Sequence, residues 1–192
     1  MDWFFLTLFG YLLGSVLFGE IIAKAKGVNI REIGSGNVGA TNVGRALGKR
    51  YALLVFLLDA GKGFLPAYLG FRVMDTGSTG MVLVGLAPVV GHMFPLFSRF
   101  RGGKGVATAF GVLTALSPVV AVLAFLVWGL VLLVTRYVSL ASIISSFSSP
   151  FLLAVFGYQP PVLILALLVA LLIVIRHRPN IDRLLRGEEP RV

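Results

Sequence analysis

Glycines and basic residues alternate in one short stretch, residues 100–108, which reads Phe-Arg-Gly-Gly-Lys-Gly-Val-Ala-Thr. Glycine lets backbone amides approach an oxyanion closely, and the N-terminus of a following helix adds its positive dipole end. We therefore expect Gly102, Gly103 and Lys104 to hold a phosphate group, with Thr108 close behind them. The order of residues does not fit a nucleotide-hydrolysing P-loop, because two positions which that motif requires are occupied by other residue types.

A second polar stretch, residues 34–45, reads Gly-Ser-Gly-Asn-Val-Gly-Ala-Thr-Asn-Val-Gly-Arg. It offers many backbone and side-chain donors to an anion, and a terminal arginine can bind an oxyanion with two parallel hydrogen bonds. Its glycines also match a dinucleotide-binding pattern, but the strands that such a fold requires are missing from this apolar context. The candidate anion ligands here are Ser35, Asn37, Thr41, Asn42 and Arg45.

A third polar stretch, residues 176–189, carries His177 and Asn180 in a basic tail. An imidazole can accept a proton and an amide can orient a substrate, so both are candidate catalytic residues. His177 and Asp182 also stand five positions apart, a pattern that could pair a base with a carboxylate, although Pro179 interrupts it. Taken alone, this tail fits a structural role as well as a functional one.

The apolar segments contain a few polar residues of their own. Asp59 and Lys62 stand three residues apart, so we expect them to pair on one face of a helix, which offsets the cost of placing either charge in lipid. His92 is expected to form structural hydrogen bonds. Ser142 could reach a ligand, although serines more often pack between membrane helices.

The composition is that of an integral membrane protein, because 57% of the 192 residues are hydrophobic and only 13% are charged. A spanning helix needs about 17 to 25 residues. Segments that reach or approach this length are Trp3 to Ala23, Tyr51 to Phe71, Met81 to Phe97, Pro118 to Thr135, Val138 to Phe156 and Val162 to Ile175; Val106 to Leu116 is shorter. We predict an all-α fold and one transmembrane domain over residues 1–192.

The charge distribution decides whether the short segment crosses the membrane. With seven crossings, all 17 basic residues except Lys62 and Arg72 fall on one side. With six, Arg136 and the basic tail would change sides. Since basic residues concentrate in cytoplasmic loops, we predict seven transmembrane helices, an N-terminus outside and a cytoplasmic C-terminus.

Several function classes are disfavoured by composition. The absence of cysteine removes disulfides and thiol chemistry, and two histidines without cysteine do not suggest a zinc site. No carboxylate cluster offers ligands to a harder cation, so we expect neither metal nor cofactor. The net charge of +9 arises at membrane ends, without a solvated domain to bind a duplex, so nucleic acid is not an expected partner.

Three motifs in this order resemble the bacterial acyl-phosphate:glycerol-3-phosphate acyltransferases, the PlsY family. They are residues 34–45, Gly91-His-Met-Phe-Pro95 with residues 100–108, and His177-Arg-Pro-Asn-Ile with Arg183-Leu-Leu and Gly187-Glu188. The resemblance implies transfer of a fatty acyl group from acyl phosphate to the 1-hydroxyl of glycerol-3-phosphate. It also implies seven helices in the bacterial plasma (inner) membrane, an active site facing the cytoplasm, and lysophosphatidic acid as product.

This chemistry suits the residues present, since a mixed carboxylic-phosphoric anhydride is already activated and needs no enzyme nucleophile. We expect one group to hold glycerol-3-phosphate: Ser35, Arg45, Lys104, His177 and Asn180; the last four are the candidate catalytic residues. A second group would cradle the acyl phosphate: Gly102, Gly103, Asn37, Thr41, Asn42 and Thr108. The hydroxyl proton could go to His177 or to the departing phosphate. The alternative function is a transporter for a phosphorylated solute, which would predict two related halves and a midplane site.

Overall fold

The computed structural model describes residues 2–74 and 78–192, and every regular element in those ranges is helical. This confirms the predicted all-α class. The helices are α1 (Asp2–Gly14), α2 (Phe18–Ala25), α3 (Ala40–Leu47), α4 (Lys49–Val73), α5 (Thr79–Met93), α6 (Val106–Leu116), α7 (Pro118–Thr135), α8 (Val138–Val155), α9 (Pro160–Arg176) and α10 (Arg178–Leu185). Short 3-10 turns lie at Ile30–Glu32 and Leu96–Ser98.

Within the described ranges, five stretches are long and apolar enough to cross a bilayer: Trp3–Ala25, Lys49–Val73, Gly80–Ser98, Pro118–Thr135 and Val138–Val155. α9 meets the same test together with α10, across a bend of 59°. α6 has 11 residues, about 16 Å of helix, against a hydrocarbon core of about 30 Å. The integral membrane fold is confirmed, whereas the seventh crossing and the sidedness of the termini remain predictions.

The first spanning segment, predicted to be continuous from Trp3 to Ala23, is broken between α1 and α2. Backbone carbonyl groups that leave a helix inside lipid need another hydrogen-bond partner. Lys62 of α4 supplies one, because its ammonium donates to the Val16 carbonyl at 2.6 Å. The same ammonium lies 2.7 Å from the Asp59 carboxylate, which confirms the predicted pair. This buried pair therefore ties the break in the first segment to α4.

The short helix α6 lies along α4, and glycines let the two backbones touch. A Cβ atom at Gly63 would overlap the Thr108 carbonyl, and one at Gly111 would overlap the Ala60 carbonyl. Small residues at such crossings permit the close approach that stabilises helix pairs in lipid. α7 begins directly after α6, with the Ser117 hydroxyl accepting from the first turn of α7. The space between α3, α4 and the helices from α6 to α10 forms the cavity that holds the candidate site.

Candidate active site

A cavity of about 810 Å³ lies among α3, α4 and the helices from α6 to α10. The polar end lies beside the N-terminus of α6, and the apolar end lies beside its C-terminus. The polar end is lined by side chains from all three polar stretches: Ser35, Asn37, Thr41, Arg45, Lys104, His177, Asn180, Arg183 and Glu189. The fold therefore brings Arg45, Lys104 and Asn180 to one place from positions far apart in the chain.

Lys104 stands at the centre of this polar end. Its ammonium donates to Asn180 Oδ1, and Asn180 Nδ2 donates to Glu189 Oε1 at 2.6 Å. The second carboxylate oxygen of Glu189 accepts from Arg183 Nε at 2.8 Å. Arg45 has no side-chain hydrogen bond or ion pair in the described part of the chain, and it is exposed at the cavity. Its guanidinium is therefore free to bind an incoming anion.

His177 lies between α9 and α10, buried at 2% exposure. Its Nδ1 atom lies 2.8 Å from the Ile173 carbonyl oxygen. Because a carbonyl oxygen can only accept, Nδ1 carries the proton and Nε2 keeps its lone pair. Asp182, five positions later, is exposed one turn into α10. His177 is thus oriented by the backbone of α9, with an acceptor nitrogen left for a substrate hydroxyl.

Burial sets the protonation of both groups. It lowers the pKa of the Lys104 ammonium to about 8; the Glu189 carboxylate opposes this shift, and neighbouring guanidinium groups add to it. Burial also lowers the pKa of His177 to about 4, and the Lys104 charge acts in the same direction. Burial alone would raise the pKa of Glu189, but hydrogen bonds, including those from Asn180 and Arg183, leave it lowered. Near neutral pH the site therefore holds charged Lys104, neutral His177 and ionised Glu189.

The polar loop before α3 is organised by Asn42, which sequence reasoning assigned to the acyl phosphate. Its Oδ1 accepts from the Ser35 amide at 3.0 Å, and its Nδ2 donates to the carbonyls of Ile30 and Ile33. These bonds use both ends of the amide, so Asn42 shapes the loop. They hold Ser35 where it lines the cavity, together with Asn37 and Thr41.

The glycine loop before α6 does not present its amides as predicted. Gly103 donates its amide to the His92 carbonyl at 3.1 Å, and neither Gly102 nor Gly103 lines the cavity. Their carbonyl oxygens accept from Arg176 of α9 at 2.8 and 3.1 Å. A Cβ atom on Gly102 would overlap the His92 carbonyl, and one on Gly103 would overlap the His92 ring. These glycines are therefore needed for close packing, which aims Lys104 into the cavity.

Thr108 and Ser142 differ in their position relative to the cavity. Thr108 is fully buried at the crossing of α6 and α4, outside the cavity lining. Its assignment to the acyl phosphate is therefore not supported by its position. Ser142 does line the cavity, but its hydroxyl donates to the Val138 carbonyl at 2.8 Å and accepts from Trp128 Nε1 at 3.3 Å. The hydrogen bond from Trp128 joins α7 to α8.

The family model for glycerol-3-phosphate acyltransferase matches residues 4–187. The chain belongs to the glycerol-3-phosphate acyltransferase family. A glycerol-3-phosphate acyltransferase of Aquifex aeolicus (strain VF5) is 56% identical over 187 residues, covering 97% of each chain. One from Hydrogenobaculum sp. (strain Y04AAS1) is 50% identical over 186 residues, covering 97% of this chain and 95% of the relative.

Two solved structures of PlsY, an integral membrane glycerol 3-phosphate acyltransferase, have the same fold as this family member at 54% identity. The glycerol 3-phosphate form superposes with a TM-score of 0.98 and covers 100% of this chain and 96% of its own. The lysophosphatidic acid form gives a TM-score of 0.95, with 100% and 95% covered. The resemblance drawn from the three motifs is thus confirmed.

Three residues of this candidate site were given no role from the sequence, although Arg183 belongs to the third motif. Arg176 holds the glycine loop, while Arg183 and Glu189 line the cavity. Arg183 follows Asn180 by three positions, a spacing that places both on one face of α10 and could have indicated it. Glu189 reaches back because Gly187 adopts a left-handed φ of 72° after the helix ends. In the sequence, Gly187 just past the helix was the available signal that the chain turns back there.

Proposed function

We propose that this chain transfers a fatty acyl group from acyl phosphate to the 1-hydroxyl of sn-glycerol-3-phosphate, which gives lysophosphatidic acid and phosphate. One observation carries the proposal: a single cavity joins a cationic end to an apolar end. Two phosphorylated reactants can meet at the first end while the acyl tail occupies the second. Membership of the acyltransferase family and the two relatives' ligand forms support the same reaction.

The contacts support a division of labour close to the one expected from the sequence. Arg45 and Lys104 bind the phosphate of glycerol-3-phosphate, since one has a free guanidinium and the other a charged ammonium at the cavity. Ser35, His177 and Asn180 orient the glycerol part. Asn37 and Thr41 hold the acyl phosphate, whereas Asn42, Gly102, Gly103 and Thr108 support the site without touching substrate.

The reaction needs positioning more than it needs an enzyme nucleophile. The 1-hydroxyl oxygen attacks the acyl carbonyl carbon, the carbon–oxygen bond to phosphate breaks, and phosphate departs. Bringing the two reactants together can lower the barrier by about 7 to 11 kcal/mol at best. A hydrogen-bond donor near the carbonyl oxygen can lower it further by about 2.7 to 4 kcal/mol, the effect of one oxyanion-hole group. Positioning and charge together therefore account for a large rate enhancement.

The hydroxyl proton goes to an oxygen of the departing phosphate. His177 Nε2 is an acceptor within the cavity, but a pKa of about 4 makes this imidazole a weak base. The phosphate leaving group gains basicity as the bond to it breaks, so it becomes the better acceptor at the right moment. His177 then serves to hold the hydroxyl in line with the carbonyl carbon.

The polar end of the cavity faces the cytoplasm of a bacterial cell, with the chain crossing the plasma (inner) membrane several times. Basic residues surround this end, as expected for cytoplasmic loops. Leu53 and Phe125 line the cavity and remain exposed on the outer surface of the bundle. Lipid-borne substrate can therefore approach from the side while glycerol-3-phosphate arrives from solution.

The test uses the detergent-purified chain with acyl phosphate and labelled glycerol-3-phosphate. We expect labelled lysophosphatidic acid and one free phosphate per product, and no product from Arg45→Gln. Parallel reactions with acyl coenzyme A and acyl carrier protein identify the donor. Uptake of labelled glycerol-3-phosphate into sealed vesicles, without acylation, would instead support the transporter. Absence of acylated product from the folded wild-type chain with every donor would refute the proposal.

A further inference from the structure

The apolar part of the cavity has a measurable depth. Its lining follows α6 from Val106 beside Lys104 to Leu116 at the far end, a distance of about 15 Å at the helical rise. α8 lines the same path down to Ser149, which lies 11 positions beyond the start of that helix at Val138. α9 runs in the opposite direction and lines the far end with Ala166, 11 positions before His177. Three helices thus reach the same depth.

Along the apolar part of the cavity, the wall contributed by α8 is made of serines whose hydroxyl groups already donate hydrogen bonds within the protein. Ser145 donates its hydroxyl to the Ala124 carbonyl at 2.7 Å. Ser146 and Ser149 each donate to a carbonyl one turn earlier, both at 2.6 Å. Hydroxyls bonded in this way leave no donor for a ligand, so they present a narrow and effectively apolar surface. Their small volume is what keeps the channel open.

A packed layer closes the far end. Val120 of α7, Leu153 of α8 and Val162 of α9 are each 0% exposed and belong to one hydrophobic cluster. Each stands four positions, about one helical turn, from a lining residue: Ala124, Ser149 and Ala166 respectively. Leu116 of α6 packs against the same cluster. We call Val120, Leu153 and Val162 the floor.

We propose that the floor, together with Ser149 and Ala166 directly above it, limits the length of the acyl chain that the site accepts. The inference rests on the proposed function, since it requires an acyl tail in the cavity. A tail that fits ends above the floor with all its methylenes out of lipid and water. A donor with a longer tail must either displace packed side chains of the floor or hold its acyl phosphate group too far from Lys104. Both outcomes slow transfer.

The test compares decanoyl, myristoyl and stearoyl phosphate as donors to glycerol-3-phosphate. Ser149→Leu and Ala166→Leu each place a larger side chain directly above the floor, which shortens the space available to the acyl tail. We expect both variants to keep the wild-type rate with decanoyl phosphate and to lose on the order of tenfold in relative kcat/KM with the longest chain that the wild type accepts well. Lysophosphatidic acid chain lengths in a mixed-donor reaction give the readout.

Ser148→Leu is the matched control. Ser148 precedes Ser149, carries the same side chain, donates to the Ser145 carbonyl at 2.8 Å and does not line the cavity. Its donor profile should equal that of the wild type. Leu153→Ala lowers the floor and should shift the preference toward longer donors. If that variant does not fold, the two leucine variants still decide the question.

The outcomes separate this inference from the function on which it rests. Acyl transfer by the wild type with unchanged donor profiles in Ser149→Leu and Ala166→Leu would overturn the floor, and would mean that the tail leaves sideways near Leu53 and Phe125. Equal losses for all donors would overturn it too, because they indicate general damage. No transfer by the wild type with any donor would instead refute the proposed function.

Discussion

Lys104 combines two properties that rarely occur together: it is largely buried, and it is surrounded by other cations. Its ammonium has one fixed partner, the Asn180 amide, and faces a cavity that Arg45 and Arg183 also line. Removing water from an ammonium disfavours its charged form, and so do nearby positive charges. An arriving phosphate relieves both costs at once. The unliganded site thus holds a cation whose charge is stabilised by the substrate itself.

This leads to a prediction about pH. The pKa of Lys104 is lowered to about 8, so the free enzyme loses this charge as pH rises through that value. We expect kcat/KM for glycerol-3-phosphate, which reports the free enzyme, to fall about tenfold per pH unit above about 8. The second pKa of a phosphate monoester is about 6, so the substrate is almost fully ionised by pH 8 and adds no second change above that value. Initial rates between neutral and alkaline pH give the measurement.

Lys104→Arg is the control for that assignment. A guanidinium stays protonated throughout the range, so any remaining activity should show no decline near pH 8. If the arginine variant retained the same alkaline limb, the titrating group would have to be another residue.

His177 gives a second prediction at this scale. Its neutral ring, held by the Ile173 carbonyl, orients a hydroxyl in our proposal and does not take its proton. His177→Gln keeps a polar group near the Nε2 position, so we expect a raised KM for glycerol-3-phosphate with kcat reduced by less than about tenfold. Removing a true general base typically costs about 10² to 10⁴ in rate. A loss of that size at saturating substrate would make His177 the base.

The chemistry of these side chains could be predicted from the sequence, but the direction of the backbone could not. Arg45, Lys104 and Asn180 are the residue types that phosphate and carbonyl binding require, and all line the cavity. Gly102 and Gly103 also suggested an anion-binding loop. Which way their peptide groups point is decided by Arg176, more than 70 positions later in the chain. No local pattern carries that information.

Among the elements, the loop between α5 and α6 depends on its neighbours for its shape. The His92 carbonyl at the end of α5 accepts from the Gly103 amide, and Arg176 at the end of α9 donates to the carbonyls of Gly102 and Gly103. The Arg176 guanidinium also lies over the Phe94 ring, 5.4 Å from its centroid. Two helices therefore position the residue that follows, Lys104.

Loosening this support should weaken the site without unfolding the protein. In Arg176→Gln both glycine carbonyls lose a charge-assisted donor, and such bonds contribute about 1.5 to 3 kcal/mol. We expect kcat/KM for glycerol-3-phosphate to fall by about tenfold or more, mostly through KM. Arg176→Lys keeps the charge but cannot donate to both carbonyls in the same geometry, so it should recover only part of the loss. Steady-state kinetics measure both variants.

Arg178 provides the matched control. It is exposed, lies two positions later and carries the same charge. Arg178→Gln should leave KM unchanged, and thermal unfolding should show all three variants folded. An equal rise of KM in Arg178→Gln would indicate general attraction of the anion by the basic surface, and not support of the glycine loop.

At the scale of the whole molecule, long-range contacts gather the polar stretches at one end of the bundle. Arg31 donates to the Arg101 carbonyl at 2.8 Å, and the Val192 amide donates to the Arg136 carbonyl at 3.0 Å. These two hydrogen bonds, together with the one between Lys104 and Asn180, connect basic segments that lie far apart in the chain. This grouping agrees with the charge count that favoured seven crossings.

Span lengths were well predicted from apolar runs, because lipid demands them of any sequence. α7 and α6 have the bounds expected, Pro118 to Thr135 and Val106 to Leu116. The break in the first span was not predicted. It depends on Lys62, whose ammonium replaces the missing helical donor to Val16. The apolar pattern from Trp3 to Ala23 gives no sign of a hydrogen-bond donor on another helix, so it could not predict the break.

The sidedness of the chain can be tested directly, because the sequence contains no cysteine. Lys24, Gln159 and Arg186 are exposed at three connections or tails, so each can be replaced by cysteine singly. With seven crossings and the N-terminus outside, a membrane-impermeant maleimide added to intact cells should label Gln159→Cys alone. Lys24→Cys and Arg186→Cys should react only after the membrane is opened, with acyl transfer retained as the check on folding.

A non-crossing α6 gives a different pattern, because every later connection then changes sides. Arg186→Cys would be labelled from outside while Lys24→Cys stayed protected, and Gln159→Cys would be protected as well. The contact between Lys104 and Asn180 could not form in that arrangement, since the two residues would lie on opposite sides of the bilayer. The predicted crossing by α6 keeps that contact possible, and it would require the membrane to thin there or the polar end to lie below the membrane surface.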